Sequence, residues 1–358
     1  MLYRTERTSF TLPLWLLCTL FIVLTQTGHA AKSTQKRFAY PQIGPFIDYM
    51  VKKHKFDRTK LRRLFLKVKR RPDIIKAMNR QAESLPWYRY RKIFMTPGRI
   101  NKGAVFWRKN AKTLAQAEKH FGVPARIIVA IIGVETFYGE RAGKIRILES
   151  LTTLAFGYPR RARFFRRELV QFLLMTRQEG FNAARLKGSY AGAMGMPQFM
   201  PSSYRAYAYD FDKDGRRDLF NNHKDVIGSV ANYFKTFGWK MGQPVIVRAS
   251  VRGSKYRRVP RPKSKFKPSF TLARLAAYGI TPRSRSAQAN NRTKVALIKL
   301  KQRRGTDYWL GYRNFYVITR YNNSALYAMA VHQLSQAIEH KYRQRRARKR
   351  RRRAARNH

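Results

Sequence analysis

"IIVAIIGVETFYGE", residues 127 to 140, runs from unbroken apolar surface at Ile127–Val134 straight into Glu135, with Thr136, Phe137 and Tyr138 behind it. A solvated Glu needs no account. One held against this much apolar surface does, because desolvation raises a carboxyl pKa and keeps the proton on at neutral pH. Pro124 suits the start of a helix through the run, and Gly133 and Gly139 end it near Glu135. A carboxylate at a helix C-terminus faces the negative end of the dipole, which raises its pKa further. Two readings are open on environment alone. Glu135 is a proton donor, or it is a helix-end residue whose carboxylate reaches solvent beside Arg141.

Acids are scarce. The chain has 18 Asp and Glu against 77 Lys and Arg in 358 residues, a net charge of +59, so a search for carboxylate chemistry is short. Asp48, Glu118 and Glu168 fall on amphipathic helices and read as surface charges. Glu140, next to Arg141, reads as solvated. Asp210, Asp212, Asp214 and Asp218 cluster in "DFDKDGRRD". No His-Glu-x-x-His zinc pattern, Walker loop or nucleophile elbow occurs. So one-sided a field predicts an anionic partner: wall carboxylates, lipid phosphates or nucleic acid.

The first residues read as an address. Arg4 and Arg7 precede an apolar run from Leu12 to Leu24, too short to span a bilayer, and Gly28-His29-Ala30 offers a cleavage site after Ala30. An uncleaved leader that anchors the protein is the alternative. Cys18, the only cysteine, lies inside this segment, so no disulfide is expected and stability must come from a packed core.

Beyond a linker at 31–42, apolar residues three and four apart predict helices from Phe46 to Lys119. "RRARFFRRELVQFLLMTRQEG" and "KDVIGSVANYFKTFGW" read as helix, and "GSYAGAMGMPQFMPSSY" as loop with short helical turns. Past Gly242 the period changes, and "PVIVRASV", "TKVALIKLK" and "NFYVITRY" read as antiparallel strands. "SALYAMAVHQLSQAIEH" returns to helix with Ser324 as N-cap. The tail from Lys341 to His358 has Lys or Arg at 11 of 18 positions, a charge density that predicts disorder. The fold class is mainly α, α+β.

Five motifs in this order and spacing, "IIGVETFYGE", "LTTLAFGYPRRARFF", "GSYAGAMGMPQFMPSSY", "DFDKDGRRDLFNNHKDVIGSVANYF" and "NFYVITRYNNSALYAMAV", resemble the lytic murein transglycosylase B family. The resemblance runs from Pro45 to Ala337 and leaves out the Arg-rich tail. It implies a lysozyme-like catalytic core at 117–240, a helical domain at 43–116 completed by 324–340, and a small antiparallel β domain at 241–323. It implies a periplasmic enzyme that cleaves the β-1,4 bond between N-acetylmuramic acid and N-acetylglucosamine in peptidoglycan and leaves 1,6-anhydromuramic ends. This suits the shortage of acids. A glycosidase normally uses two carboxyl groups, whereas here Glu135 is the one catalytic candidate.

The same resemblance carries Ser189, Met194, Gln198, Phe199, Tyr233, Tyr321, Asn322 and Tyr327 onto the family's sugar-binding cleft. Loop hydrogen bonding for Ser189 and Gln198, core packing for Met194, Phe199 and Tyr233, and a helix start at Asn322 are their ordinary alternatives. In the acidic loop, Asp210, Asp212, Asp214 and Gly215 match an EF-hand calcium loop, with the Arg216 carbonyl as a further ligand. Asn221 stands where a bidentate Glu belongs. The family's last carboxylate falls on Asp225, which could equally cap the next helix. Arg216 and Arg217 would weaken the affinity of such a structural Ca2+ site. The rival functions are a non-catalytic peptidoglycan-binding protein of the same fold, and a cationic nucleic-acid or membrane-surface binder working through the tail.

Overall fold

The structure, a computed structural model, describes residues 38–79, 85–262, 264–284 and 290–355. The leader and the start of the linker lie outside the described residues. Six helices come first: α1 (Ile43–His54), α2 (Arg58–Phe65), α3 (Pro72–Asn79), α4 (Trp87–Phe94), α5 (Pro97–Lys109) and α6 (Ala111–Phe121). Their starts are written in the sequence. Asp57 accepts the Lys60 N–H at 2.6 Å, and Thr96 accepts that of Arg99 ahead of Pro97. In α1, Ile43, Phe46, Ile47 and Met50 make one buried stripe.

The next helix, α7 (Ala125–Thr136), lies within the large core. Every residue in it except Arg126 and Glu135 is buried. A helix apolar all round must be enclosed by others, and α5, α6, α11 and α14 pack against it. After α7 come β1 (Ile145–Arg146), α8 (Ile147–Gly157), α9 (Ala162–Gln178), β2 (Lys187–Gly188), α10 (Pro201–Tyr207) and α11 (His223–Thr236). Strands β1 and β2 pair antiparallel.

The C-terminal third holds β3 (Ile246–Val251), β4 (Phe270–Thr271), α12 (Leu272–Ala276), β5 (Ile280–Pro282), β6 (Lys294–Lys301), β7 (Thr306–Gly311), α13 (Arg313–Tyr321) and α14 (Ala325–Ala354). The five strands form an antiparallel sheet ordered β4-β6-β7-β3-β5, with β6 and β7 paired from Ala296↔Gly311 to Lys301↔Thr306. The sheet has a small core of its own around Phe270, Leu275, Ile280, Val295 and Leu310, separate from the large helical core. From Phe38 onward the chain packs as one compact unit, and the boundary expected at 116 falls inside α6.

Three expectations are corrected here. "NFYVITRY" is a helix, α13, not a strand: Asn314, Phe315, Val317, Ile318 and Thr319 are buried on it. Its β-branched residues favour a strand locally, but packing decides. The tail is not disordered over most of its length, because α14 continues unbroken to Ala354. Tyr342 stacks on Trp107 with ring centroids 4.7 Å apart, and Arg345 donates to Asn101, so the packed part of α14 guides the basic part outward. Glu168 is no surface charge: it is 4% exposed and accepts from the Ser202 N–H and hydroxyl at 2.9 and 2.7 Å.

Candidate active site

Glu135 sits in the last turn of α7, half-buried. The helix stops there because Phe137 and Tyr138 both take left-handed backbone, with φ of 52° and 65°. Such angles strain non-glycine residues and persist only when their surroundings enforce them. The enforcement is visible. The Tyr138 hydroxyl donates to the Arg99 carbonyl at 2.9 Å, the Thr136 hydroxyl to the Met196 carbonyl at 2.9 Å, and the Gly139 N–H to the Thr136 oxygen at 3.0 Å. The buried Arg99 side chain donates to the carbonyl of Gly133 at 3.1 Å and to that of Ile93. Gly133 leaves room for the Tyr138 ring: a Cβ there would lie 2.5 Å from the hydroxyl oxygen.

The electrostatics single Glu135 out. Among the described residues four acids are more deeply buried than Glu135. Glu149 is paired with Arg71, Glu179 with Arg217, Glu168 is held by Ser202, and Asp225 accepts two backbone N–H groups. Among the described residues Glu135 has one hydrogen-bond partner, the Tyr327 hydroxyl, which donates to Oε1 at 2.5 Å. Arg141 is not that partner. Its guanidinium lies over the Phe137 ring, 5.0 Å from the centroid. Burial pushes the Glu135 pKa up to about 7, and the Tyr327 hydrogen bond opposes that by favouring the charged form. The charge of Glu135 in turn holds Tyr327 and Tyr321 well above the ordinary phenol range, although burial is the larger cause.

An aromatic chain leads away from the acid. Tyr327 stacks on Tyr321 at 6.4 Å, Tyr321 lies 4.8 Å from Tyr233, and Phe199 is within 5.8 Å of both. The Tyr321 hydroxyl donates to the Pro197 carbonyl and that of Tyr233 to the Arg320 carbonyl, each at 2.6 Å. The loop opposite is tied to itself. Met194 pairs with both Gly188 and Phe199, and the Ser189 hydroxyl accepts from the Ala193 N–H at 3.0 Å. Gln198, at φ 53°, spends its amide on the carbonyls of Ala142 and Gly195. Ser189, Met194, Gln198, Phe199, Tyr233, Tyr321 and Tyr327 are thus brought onto one connected loop and aromatic array. Asn322 is exposed and caps the end of α13; it does not start α14, whose N-cap is Ser324.

Tyr90 was missed. It lies on α4 near enough to Glu135 for that charge to raise its pKa, with burial the larger cause. In "WYRYRKIF" the spacing of Trp87, Tyr90 and Phe94 reads as a core stripe, and nothing local aims it at an acid more than forty residues on. Arg99 was missed too; a buried Arg without an acid has no sequence signature.

In the acidic loop, carboxylate oxygens of Asp210, Asp212, Asp214 and Asp225 all lie within 4.8 Å of one another. Lys213 and Gly215 turn the loop with φ of 62° and 87°, and Asp210 accepts from the N–H of Gly215 at 2.9 Å. Asp225 does not cap α11. Asn222 does so, accepting from Lys224, while Asp225 lies fully buried in the first turn. Asn221, standing where a bidentate Glu belongs, donates its amide to Asp218. Four converging carboxylates, one of them buried, suit a hard cation with oxygen ligands. Arg217 is paired with Glu179, whereas Arg216, its guanidinium over the Phe181 ring, lines one cleft with Asp212 and Asp214. Lys224 is a further cation nearby, 3.5 Å from Asp212.

Comparison with known proteins places this geometry. The family model of the transglycosylase SLT domain matches residues 39–336. The membrane-bound lytic murein transglycosylase B of Escherichia coli is 46% identical over 308 residues, covering 83% of this chain and 82% of that protein. The crystal structure of the soluble lytic transglycosylase SltB1 from Pseudomonas aeruginosa superposes with a TM-score of 0.79 at 45% identity, covering 84% of this chain and 99% of that one. That of the Escherichia coli lytic transglycosylase Slt35 in complex with calcium does so with 0.78 at 46% identity, covering 85% and 94%. A matched family model over most of the described chain, and relatives with the same fold at nearly half identity, make this chain a member of the lytic murein transglycosylase family, an enzyme that cleaves peptidoglycan by transglycosylation.

Proposed function

We propose that Glu135 is the single catalytic carboxyl and serves in turn as acid and base. The observation that carries this is a half-buried carboxyl, held by one phenol and no cation, whose pKa of about 7 lets it both give and take a proton. Protonated Glu135 gives its proton to the glycosidic oxygen as the C1–O4 bond breaks. The 2-acetamido oxygen of the muramic residue bonds to C1 on the other face. The muramic O6 then attacks C1, displaces the acetamido oxygen and returns its proton to Glu135. The 1,6-anhydro ring closes without water, so no second carboxyl is needed. Tyr327 orients the carboxyl, Tyr321, Tyr233 and Phe199 would form the aromatic wall of the sugar cleft, and Tyr90 stands near the acid. Mass spectrometry of digested sacculi tests this. The expected products carry anhydromuramic ends, and Glu135→Gln should yield none. Reducing muramic ends from the wild type would make it a hydrolase and sink the scheme.

The loop ligands Asp210, Asp212, Asp214 and Asp225, with the Arg216 carbonyl, would hold Ca2+ as a structural brace between the loop and α11. The leader would export the enzyme to the periplasm, with an uncleaved anchor as the alternative. No helix among the described residues is long and apolar enough to cross a membrane. The basic extension of α14 would add an anionic wall or membrane surface as a partner.

A further inference from the structure

A second cleft, of about 940 Å³, opens between α4 and the sheet and does not include Glu135. Trp87 and Trp309 give it aromatic walls, and Gln333 of α14 lines it. Five cations line it as well: Arg89, Arg91 and Lys92 from α4, Arg248 from β3, and Arg303 from the turn between β6 and β7. Among the described residues only Arg248 has an acid partner, and the other four have none. The only acid in the lining, Asp307, is already matched: Arg248 pairs with it at 2.6 Å and Gln302 donates to it at 2.6 Å. The Trp309 indole N–H and the Gln333 carbonyl oxygen are both cut off from solvent and have no hydrogen-bond partner. Buried polar groups are nearly always satisfied, and two orphans of opposite type on one cleft are an exception that needs a cause. One wants an acceptor and the other a donor.

We infer that this cleft binds a carboxylate-bearing peptide, the stem peptide of the murein strand being cut; this rests on the proposed action of Glu135. Peptide carboxylates match the free guanidinium and ammonium groups. A peptide unit offers a C=O to Trp309 and an N–H to Gln333 once either side chain turns toward it. A bare glycan has hydroxyls but, apart from the lactyl group, no charge to match four cations. The distances agree. Tyr327, which bonds Glu135, and Gln333 lie on the same helix, about 9 Å apart along its axis at 1.5 Å per residue. An extended peptide of four residues spans up to about 13 Å. A stem attached to a muramic residue at Glu135 is therefore long enough to span the separation of the two positions.

The test uses the full chain and two tetrasaccharide substrates, one bearing tetrapeptide stems and one naked. Arg91→Gln with Lys92→Gln changes exposed charges only, and Trp309→Phe removes the N–H while keeping a ring. Each should lower kcat/KM on the stem-bearing substrate about tenfold and leave the naked one unchanged. Free stem tetrapeptide should quench tryptophan fluorescence saturably. Binding should weaken in both variants, and more so when the peptide carboxylates are amidated. Equal losses on both substrates, no loss on either, or equally tight binding of the neutral peptide would overturn the inference. So would a single-stranded oligonucleotide that displaces the peptide and binds more tightly. A wild type that cleaves neither substrate would count against the role of Glu135, while the peptide titration would still decide the cleft.

Discussion

At the scale of single residues, the Glu135–Tyr327 pair makes pH the natural probe. Burial lifts the Glu135 pKa to about 7, and the hydrogen bond from Tyr327 pulls it down. The acid step needs the proton on, so kcat/KM should fall as pH rises through this value. Tyr327→Phe removes the opposing hydrogen bond and should move that alkaline limb to higher pH, alongside a drop in rate; a pH–rate profile of both proteins checks it. An unmoved limb would mean another group sets it. Stability carries the same sign. The folded pKa lies above the unfolded one of about 4.3, so the folded state binds the extra proton and loses stability as pH rises between the two. Glu135→Gln removes this dependence. Its melting temperature should match the wild type near pH 4 and exceed it increasingly up to pH 8. Little of this was legible locally. The apolar run before Glu135 marks it as desolvated, but Tyr327 lies nearly two hundred residues away, and only the packing of α14 on α7 brings it there.

At the scale of elements, the end of α7 depends on Gly133. A Cβ would meet the Tyr138 ring at 2.5–2.9 Å, and that ring is held by its bond to Arg99 and by packing on Phe106 at 5.7 Å. Overpacking a filled core costs about 1–3 kcal/mol. Gly133→Ala should therefore lower stability by that order in urea denaturation and lose activity too, because the turn that aims Glu135 must shift. Full activity with a lowered melting point would separate the fold's need for Gly133 from the site's. The acidic loop makes a second prediction. A ligand that binds only the folded state raises the melting temperature with its concentration over Kd. Millimolar Ca2+ should raise it in the wild type, and Asp210→Ala with Asp214→Ala should erase the gain. Differential scanning calorimetry with and without chelator decides it, and a wild-type curve that calcium leaves in place would leave the cluster as a loop alone.

At the scale of the whole molecule, the dominant feature is charge. The basic end of α14 follows Tyr342 and Arg345, which contact Trp107 and Asn101 of α5. Removing the residues after Arg345 should leave turnover on a short soluble glycan unchanged. It should weaken binding to intact sacculi at low salt, and the deficit should fade as ionic strength rises, since exposed charges are screened beyond about 8 Å at physiological strength. A sacculus pull-down across a salt series beside the soluble assay reads both. A truncation that cripples the soluble reaction would place the arm in the folded enzyme.

The sequence by itself determined what depends on near neighbours. Helix starts at Asp57, Thr96 and Ser324 follow from caps. The burial of α7 follows from an apolar run with no polar face. The convergence of Asp210, Asp212 and Asp214 follows from alternation around the Gly215 turn. Strands β3 and β6 follow from period-two patterns that no helix could bury. Tertiary structure decided the rest, because it concerns groups distant along the chain. Asp225 joins the loop only through the docking of α11. Glu168 is buried because α10 lies on α9 and supplies Ser202. The β-branched residues of α13 are helical because packing outweighs a local preference of a few tenths of a kcal/mol per residue. Whether Glu135 met Arg141 or a phenol rested on where α14 lay, and that is set by the large apolar core the two helices share. Burial is a property of the assembled core, so a residue's pKa and partners cannot be read from its neighbours in sequence.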